Sequence, residues 1–195
     1  MLMTMSQKTL NLEQNSNKHA DLTIIYPPGT GGQFLRMQIC EHLGIEQPYT
    51  ISAHNEYRPV KFNRPQDQTS IEAFHFKDIN ENAIEKYTPA IIVVYNPANF
   101  WIVETLRQIK ADDYTYSQNV NVPIATKQKA FKILQDTKSL IGKLKPALVV
   151  QWEKLFADLE VKPLCDFVGI EDIASFRLQC KEYHAKNMEL INMYK

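Results

Sequence analysis

The sequence predicts a three-layer α/β fold, in which a mainly parallel central sheet is flanked by helices. Three short apolar runs, typical of buried strands, occur at residues 22–26, 90–95 and 147–151. Segments with helical periodicity separate these runs, and the first run leads through a glycine-rich turn directly into a helix. Strands that alternate with helices of this length usually form a parallel sheet, because each crossover helix packs back onto the sheet.

Length and composition indicate one folded domain with a polar extension. The chain has 195 residues, of which 44% are hydrophobic, and this is enough for one complete core. Residues 1–20 are polar and rich in Asn, Gln and Lys. We therefore expect a flexible N-terminal tail at residues 1–20 and a single domain at residues 21–195.

The charge balance indicates which partners the protein binds, and the cysteines indicate its redox compartment. Lys and Arg together number 22, as do Asp and Glu, so no net field favours nucleic acid or an anionic membrane, and we expect neither as a partner. No apolar run is long enough to span a bilayer. The three cysteines are widely separated and include no C-x-x-C pair, which predicts neither a disulfide framework nor a zinc site. We expect a reduced, cytoplasmic protein without a bound metal.

Local patterns predict the remaining elements. The polar, proline-containing residues 45–70 predict a long loop without regular structure, of the kind that often covers a site. Weak alternation around Phe74 and Phe76 predicts a further strand at residues 71–76. Glu153 follows the last predicted strand, where its carboxylate would either orient site residues or cap the next turn. Helical spacing of apolar residues predicts helices at residues 33–43, 79–87, 97–110, 126–144, 164–168 and 173–193.

The turn after the first predicted strand contains three glycines in four positions. Such a turn can leave backbone N–H groups pointing into one concavity, and the positive end of the following helix adds to the attraction for an anion. The candidate ligand-binding residues are therefore Gly29, Thr30, Gly31, Gly32 and Gln33. The alternative is a tight strand-to-helix turn that binds nothing.

This glycine loop lacks the lysine of the nucleotide-hydrolysing P-loops. In the pattern G-x-x-x-x-G-K-[ST], the first glycine position holds Tyr26, the lysine position holds Gly32 and the hydroxyl position holds Gln33. Because the lysine reaches the outer phosphates and the hydroxyl binds magnesium, an ATPase or GTPase is disfavoured.

Several segments are similar, in the same order, to motifs of one known family. Residues 26–35 are similar to Tyr-Pro-Lys-Ser-Gly-Thr-Thr-Trp-Leu, and residues 91–101 are similar to Val-Val-Arg-Asn-Pro-Lys-Asp-Val-Trp. Residues 148–155 and 164–169 are similar to Tyr-Glu-Asp-Leu and Leu-Cys-Asp-Phe-Leu-Gly. Over most of residues 21–171 the chain therefore resembles the sulfotransferase superfamily, a branch of the P-loop fold that uses 3′-phosphoadenosine 5′-phosphosulfate (PAPS) as sulfuryl donor.

The resemblance implies a P-loop-type fold and transfer of a sulfuryl group from PAPS to a hydroxyl or amine of a small-molecule or glycan acceptor. It implies donor contacts from the loop Gly29–Gln33 and from Tyr95 and Asn96, without a metal. It also implies a catalytic base at His75, since many members carry a histidine after the second core strand. A histidine suits this role because it titrates near neutrality. The alternative for His75 is a side chain packed at the end of a strand.

Three positions depart from the family pattern, and each loses a charge or a hydroxyl. Gly29 or Pro28 stands in place of the loop lysine, while Tyr95 and Val103 replace the arginine and serine that hold the donor's 3′-phosphate. The cations that remain as substitutes are Lys77, Arg107, Lys110, Arg58 and Lys61.

These departures leave two other functions open. One is a non-catalytic relative that keeps the fold as a binding or interaction module. The other is a kinase-like phosphotransferase, which would need the loop lysine and a magnesium-binding side chain.

Overall fold

The computed structural model describes residues 21–46, 49–51, 57–59, 69–111 and 127–193, so the predicted tail at residues 1–20 lies outside the described residues. The strands are β1 (Leu22–Tyr26), β2 (Tyr49–Ile51), β3 (Tyr57–Pro59), β4 (Ile71–His75), β5 (Ala90–Val94) and β6 (Leu148–Gln151). The α-helices are α1 (Gly32–His42), α2 (Phe100–Ala111), α3 (Lys127–Leu144), α4 (Trp152–Phe156), α5 (Lys162–Val168) and α6 (Ile173–Met193). Short 3₁₀ helices span Phe76–Asp78, Glu81–Tyr87 and Pro97–Asn99. None of the helices described is both long and apolar enough to cross a membrane.

The central sheet has four parallel strands in the order β4-β1-β5-β6. β1 pairs with β4 on one side, where Tyr26 lies opposite His75, and with β5 on the other. β5 in turn pairs with β6, where Val94 lies opposite Gln151. The prediction of an α/β fold with a mainly parallel sheet is therefore confirmed. Because the strand order reverses at β1, the carboxyl ends of β1 and its neighbours are where such sheets bind ligands.

Helices cover both faces of this sheet and complete the three layers. On one face, Ile24 and Ile91 pack with α1, α2, α4, α5 and α6. On the other face, Ile25 and Ile92 pack with α3 and the 3₁₀ helix Glu81–Tyr87. The buried side chain of Arg36 ties α1 to β4, because its Nε donates to the carbonyl oxygen of Ile71 at 2.6 Å.

One sequence prediction is wrong and one helix was missed, whereas the other predicted elements agree with the observed ones to within a few residues. The segment 45–70 is not devoid of regular structure, since β2 and β3 form an antiparallel pair in which Thr50 lies opposite Arg58. The last strand of the sheet leads directly into α4, a helix that was not predicted. Strands of three residues and a helix of five residues are too short to produce a periodic pattern, which is why the sequence does not reveal them.

Candidate functional site

The carboxyl edge of the sheet brings the predicted site residues together. β1 leads into the glycine loop, β4 ends at His75, and β5 is followed by Tyr95 and Asn96. Since neighbouring strands lie about 4.8 Å apart, the ends of β4 and β5 lie about one strand spacing from the end of β1, where the loop begins. The sequence alone does not determine this arrangement, because it depends on β1 lying between β4 and β5.

The glycine loop is a tight turn that ends at the first residue of α1. The N–H and hydroxyl of Thr30 both donate to the carbonyl oxygen of Pro27, at 3.2 and 2.6 Å, and close the turn. Gly31 then adopts the left-handed conformation, with a φ of 79°, and α1 begins at Gly32. No side chain among the described residues caps this helix. The first N–H groups of α1 have no partner within the helix and so present partial positive charge.

All three loop glycines lie in close contact with other parts of the protein. A Cβ on Gly29 would overlap the carbonyl oxygen of Val103 in α2, and a Cβ on Gly32 would overlap the ring of Tyr26. A Cβ on Gly31 would lie 2.7 Å from the hydroxyl oxygen of Tyr183 in α6. Packing within the protein is therefore sufficient to explain why glycine occupies each of these positions.

Gln33 lies in the first turn of α1, beside the loop. Its side chain is partly buried, and its Oε1 atom is buried without a hydrogen-bond partner among the described residues. Rotation of the amide would present its N–H₂ group there instead. Gln33 thus retains hydrogen-bonding capacity for a ligand or a water molecule at the start of the helix.

His75 lies beside the glycine loop through the ring of Tyr26. The two ring centroids are 4.8 Å apart in an edge-on arrangement, and the side chain of His75 is 32% exposed. Nδ1 of His75 lies 3.5 Å from Oδ2 of Asp78. An acidic neighbour at Nδ1 favours a proton on that nitrogen, which is the tautomer that a general base acting through Nε2 requires.

Tyr95 lies in an acidic environment on the α2 side of the β5 turn. Its ring stacks on Phe100 at 6.3 Å, and burial raises its pKa, with further contributions from Glu104 and then Glu153. Glu104 is only 5% exposed and pairs with Arg107 through two contacts, of 2.6 Å to Nη2 and 2.9 Å to Nε. Two carboxylates, one of them paired with a guanidinium, therefore lie near the position at which the family pattern has an arginine.

Glu153 holds the turn after β5 in place. Its Oε1 accepts hydrogen bonds from the backbone N–H of Asn96 at 2.7 Å and from Nδ2 of Asn99 at 2.9 Å. Of the two roles left open for this carboxylate, the structure shows that it orients other residues, namely Asn96 and Asn99, because no described side chain caps α4.

Of the substitute cations, Arg107 is adjacent to the glycine loop, since its backbone nitrogen would lie 3.0 Å from a Cβ on Gly29. The side chains of the other four lie outside the described residues, at Lys77, Lys110, Arg58 and Lys61.

The sequence did not reveal the roles of Glu104 and Tyr183 at this edge. The only sequence signal for Glu104 is its spacing of three residues from Arg107, and Tyr183 has none.

The sequence matches no protein-family model, and a search of curated proteins likewise finds no match.

Proposed function

We propose that this protein is a sulfotransferase-like transferase, which moves a sulfuryl group from PAPS to a hydroxyl or amine of a small-molecule or glycan acceptor. One observation carries the proposal: the ring of His75 lies 4.8 Å from the ring of Tyr26, and that ring abuts Gly32 at the start of α1. A base and an uncapped helix N-terminus are thus separated by a single side chain. A group held by the loop amides would be close to a proton acceptor.

Different residues of the chain have different roles in the proposed transfer. The N–H groups at the start of α1 bind and orient the anionic donor and stabilise the charge on the transferring group. His75 accepts the proton of the acceptor hydroxyl while a new S–O bond forms to that oxygen and the S–O bond to the donor phosphate breaks. PAPS supplies the sulfuryl group, and 3′-phosphoadenosine 5′-phosphate is the other product. Asp78 stabilises the protonated His75. No metal takes part in this proposal.

A second candidate is a non-catalytic relative that uses the same fold as a binding module. The contacts of the loop glycines favour it, because packing explains Gly29, Gly31 and Gly32 without a ligand. The acidic surroundings of Tyr95 also oppose a phosphate on that side. The kinase-like alternative gains no support from the loop, because the lysine it needs is missing.

Calorimetry with 3′-phosphoadenosine 5′-phosphate separates the two candidates. We expect binding at micromolar to submillimolar concentration, and binding weaker than millimolar would contradict the transferase. Gln33→Glu tests the loop, because a carboxylate in the first turn of α1 repels a phosphate. Since Oε1 of Gln33 is buried, thermal unfolding first establishes that the variant is folded, and we expect the folded variant to lose the ligand. Gly31 is a poor choice for this purpose, because its replacement disturbs packing against Tyr183.

The role of His75 is tested by transfer from PAPS to a panel of phenols and amines. We expect His75→Ala to bind 3′-phosphoadenosine 5′-phosphate like the wild type but to lose transfer by about 100-fold or more. His42→Ala is the matched control, since His42 lies at the far end of α1 and contacts Gln179. Full transfer by His75→Ala would reject the assigned base.

The proposal includes a cytoplasmic location. Cys40, Cys165 and Cys180 are all buried free thiols, which suits a reducing compartment.

A further inference from the structure

A cavity of about 390 Å³ lies between α3 and the carboxyl ends of β5 and β6. It is on the face of the sheet opposite α1, and Pro27, the residue from which the glycine loop starts, is among the residues that line it. Val94, Ile141 and Val149 supply apolar walls, and Gln151 lies at the carboxyl end of β6. This volume is within the usual range for small-molecule sites, which run from about 300 to 1,000 Å³.

The electrostatic character of this cavity depends on one residue of α3. Of the ten described residues that line it, only Lys138 carries a formal charge. Lys138 is exposed, and the same cavity is lined by Tyr95 and Asn96, which form the turn after β5. The described lining thus combines apolar walls, polar groups at the strand ends and the ammonium group of Lys138.

The two sides of the β5 turn differ in charge. Toward α2 and α4, Tyr95 faces the carboxylates of Glu104 and Glu153, of which Glu104 is paired with Arg107. Toward α3, the cavity presents Lys138 and no carboxylate among its described lining residues. A phosphate near this turn is therefore repelled on the α2 side and attracted on the α3 side.

We infer that this cavity binds the nucleoside end of the donor and that Lys138 binds its 3′-phosphate, in place of the arginine that Tyr95 replaces. The inference rests on the proposed function, because the donor's other phosphate must lie at the glycine loop. The two subsites are adjacent, since Pro27 belongs to both the loop and the cavity wall. Lys138 of α3 thus supplies the positive charge that is missing at Tyr95, in the turn after β5.

The test compares the affinities of two nucleotides, with and without a 3′-phosphate, for one surface variant. Lys138→Met should weaken 3′-phosphoadenosine 5′-phosphate by about 10-fold or more, as expected for the loss of one charge-assisted contact. The same variant should change the affinity for AMP, which lacks the 3′-phosphate, by less than about twofold. Lys132→Met is the matched control, because Lys132 is an exposed lysine on α3 that does not line the cavity. Both affinities are measured by calorimetry.

Val149→Phe tests the cavity independently of charge. Val149 is 44% exposed and lines the cavity, so a larger side chain there fills the space without disturbing the core. We expect weaker binding of both probes by folded protein, as judged by thermal unfolding. Unchanged binding by Val149→Phe, or equal losses for both probes in Lys138→Met, would overturn the inference and leave the proposed function standing. Failure of the wild type to bind 3′-phosphoadenosine 5′-phosphate would overturn both.

Discussion

The hydroxyl oxygen of Tyr183 lies 2.7 Å from the position that a Cβ atom on Gly31 would occupy. The ring of Tyr183 also stacks on the ring of Phe34 in α1, with centroids 4.1 Å apart and planes inclined by 19°. The C-terminal helix α6 therefore packs against the first turn of α1 at Gly31 and Phe34. This contact makes Gly31 a structural residue, whatever the loop binds.

Replacement of Gly31 by alanine should destabilise the protein by about 2–4 kcal/mol, because a Cβ there meets Tyr183 and an L-residue is strained at a φ of 79°. Urea denaturation measures this loss. Gly142→Ala is the control, since Gly142 lies in α3 with open space around it, and we expect a gain of about 0.5–1 kcal/mol. Equal stability of Gly31→Ala and wild type would show that α6 does not pack on the loop as described.

Loss of the Glu153 carboxylate should loosen the turn after β5. Glu153→Ala removes the acceptor of two hydrogen bonds, from Asn96 and Asn99, and we expect a cost of about 1–3 kcal/mol in unfolding free energy. Glu153→Gln keeps an acceptor oxygen and should cost less. Glu160→Ala removes only an exposed ion pair with Lys154 and should cost about 0–1 kcal/mol. A loss at Glu153 no larger than that at Glu160 would contradict the tethering role.

The raised pKa of Tyr95 predicts a loss of stability in alkali. Burial, Glu104 and Glu153 favour the neutral phenol in the folded protein, whereas in the unfolded chain it ionises near its ordinary pKa of 10.0. Above that pH the unfolded state binds fewer protons than the folded state, so the unfolding free energy falls as pH rises. The contribution of Tyr95 is present below pH 10.0 and declines above it, by at most about 1.4 kcal/mol per pH unit.

Denaturation of wild type and Tyr95→Phe between neutral and alkaline pH isolates this effect, because other groups titrate equally in both proteins. We expect the stability difference between the two to shift in favour of Tyr95→Phe above pH 10.0. Parallel pH profiles would show that Tyr95 lies in ordinary solvent.

The cysteines should resist thiol reagents in the native protein. All three are buried, and burial, with a smaller contribution from the neighbouring Cys165, raises the pKa of Cys180 to about 12. Because the thiolate is the reactive species, we expect negligible labelling by a disulfide reagent at pH 8 and labelling of all three thiols in guanidinium chloride. Rapid reaction of one thiol in the native state would mean that its region opens to solvent.

The sequence predicts the parts of the sheet better than the site that they form. Runs such as Ile91–Val94 are apolar and β-branched, and the spacing of Leu140 and Leu144 matches one face of a helix, so local patterns suffice for β5 and α3. The carboxylates near Tyr95 were less predictable. Glu104 is buried in the structure, yet from the sequence it resembles any surface residue on an amphipathic helix.

By itself the sequence determined the alternation of strands and helices and the tight turn between β1 and α1, because backbone preference and apolar periodicity act over a few neighbouring residues. Only the tertiary structure decided that β1 lies between β4 and β5, which brings His75 beside Tyr26. It also decided that Tyr183 occupies the space over Gly31. These contacts join residues far apart in the chain, and their partners are selected by packing between whole elements, for which no local pattern exists.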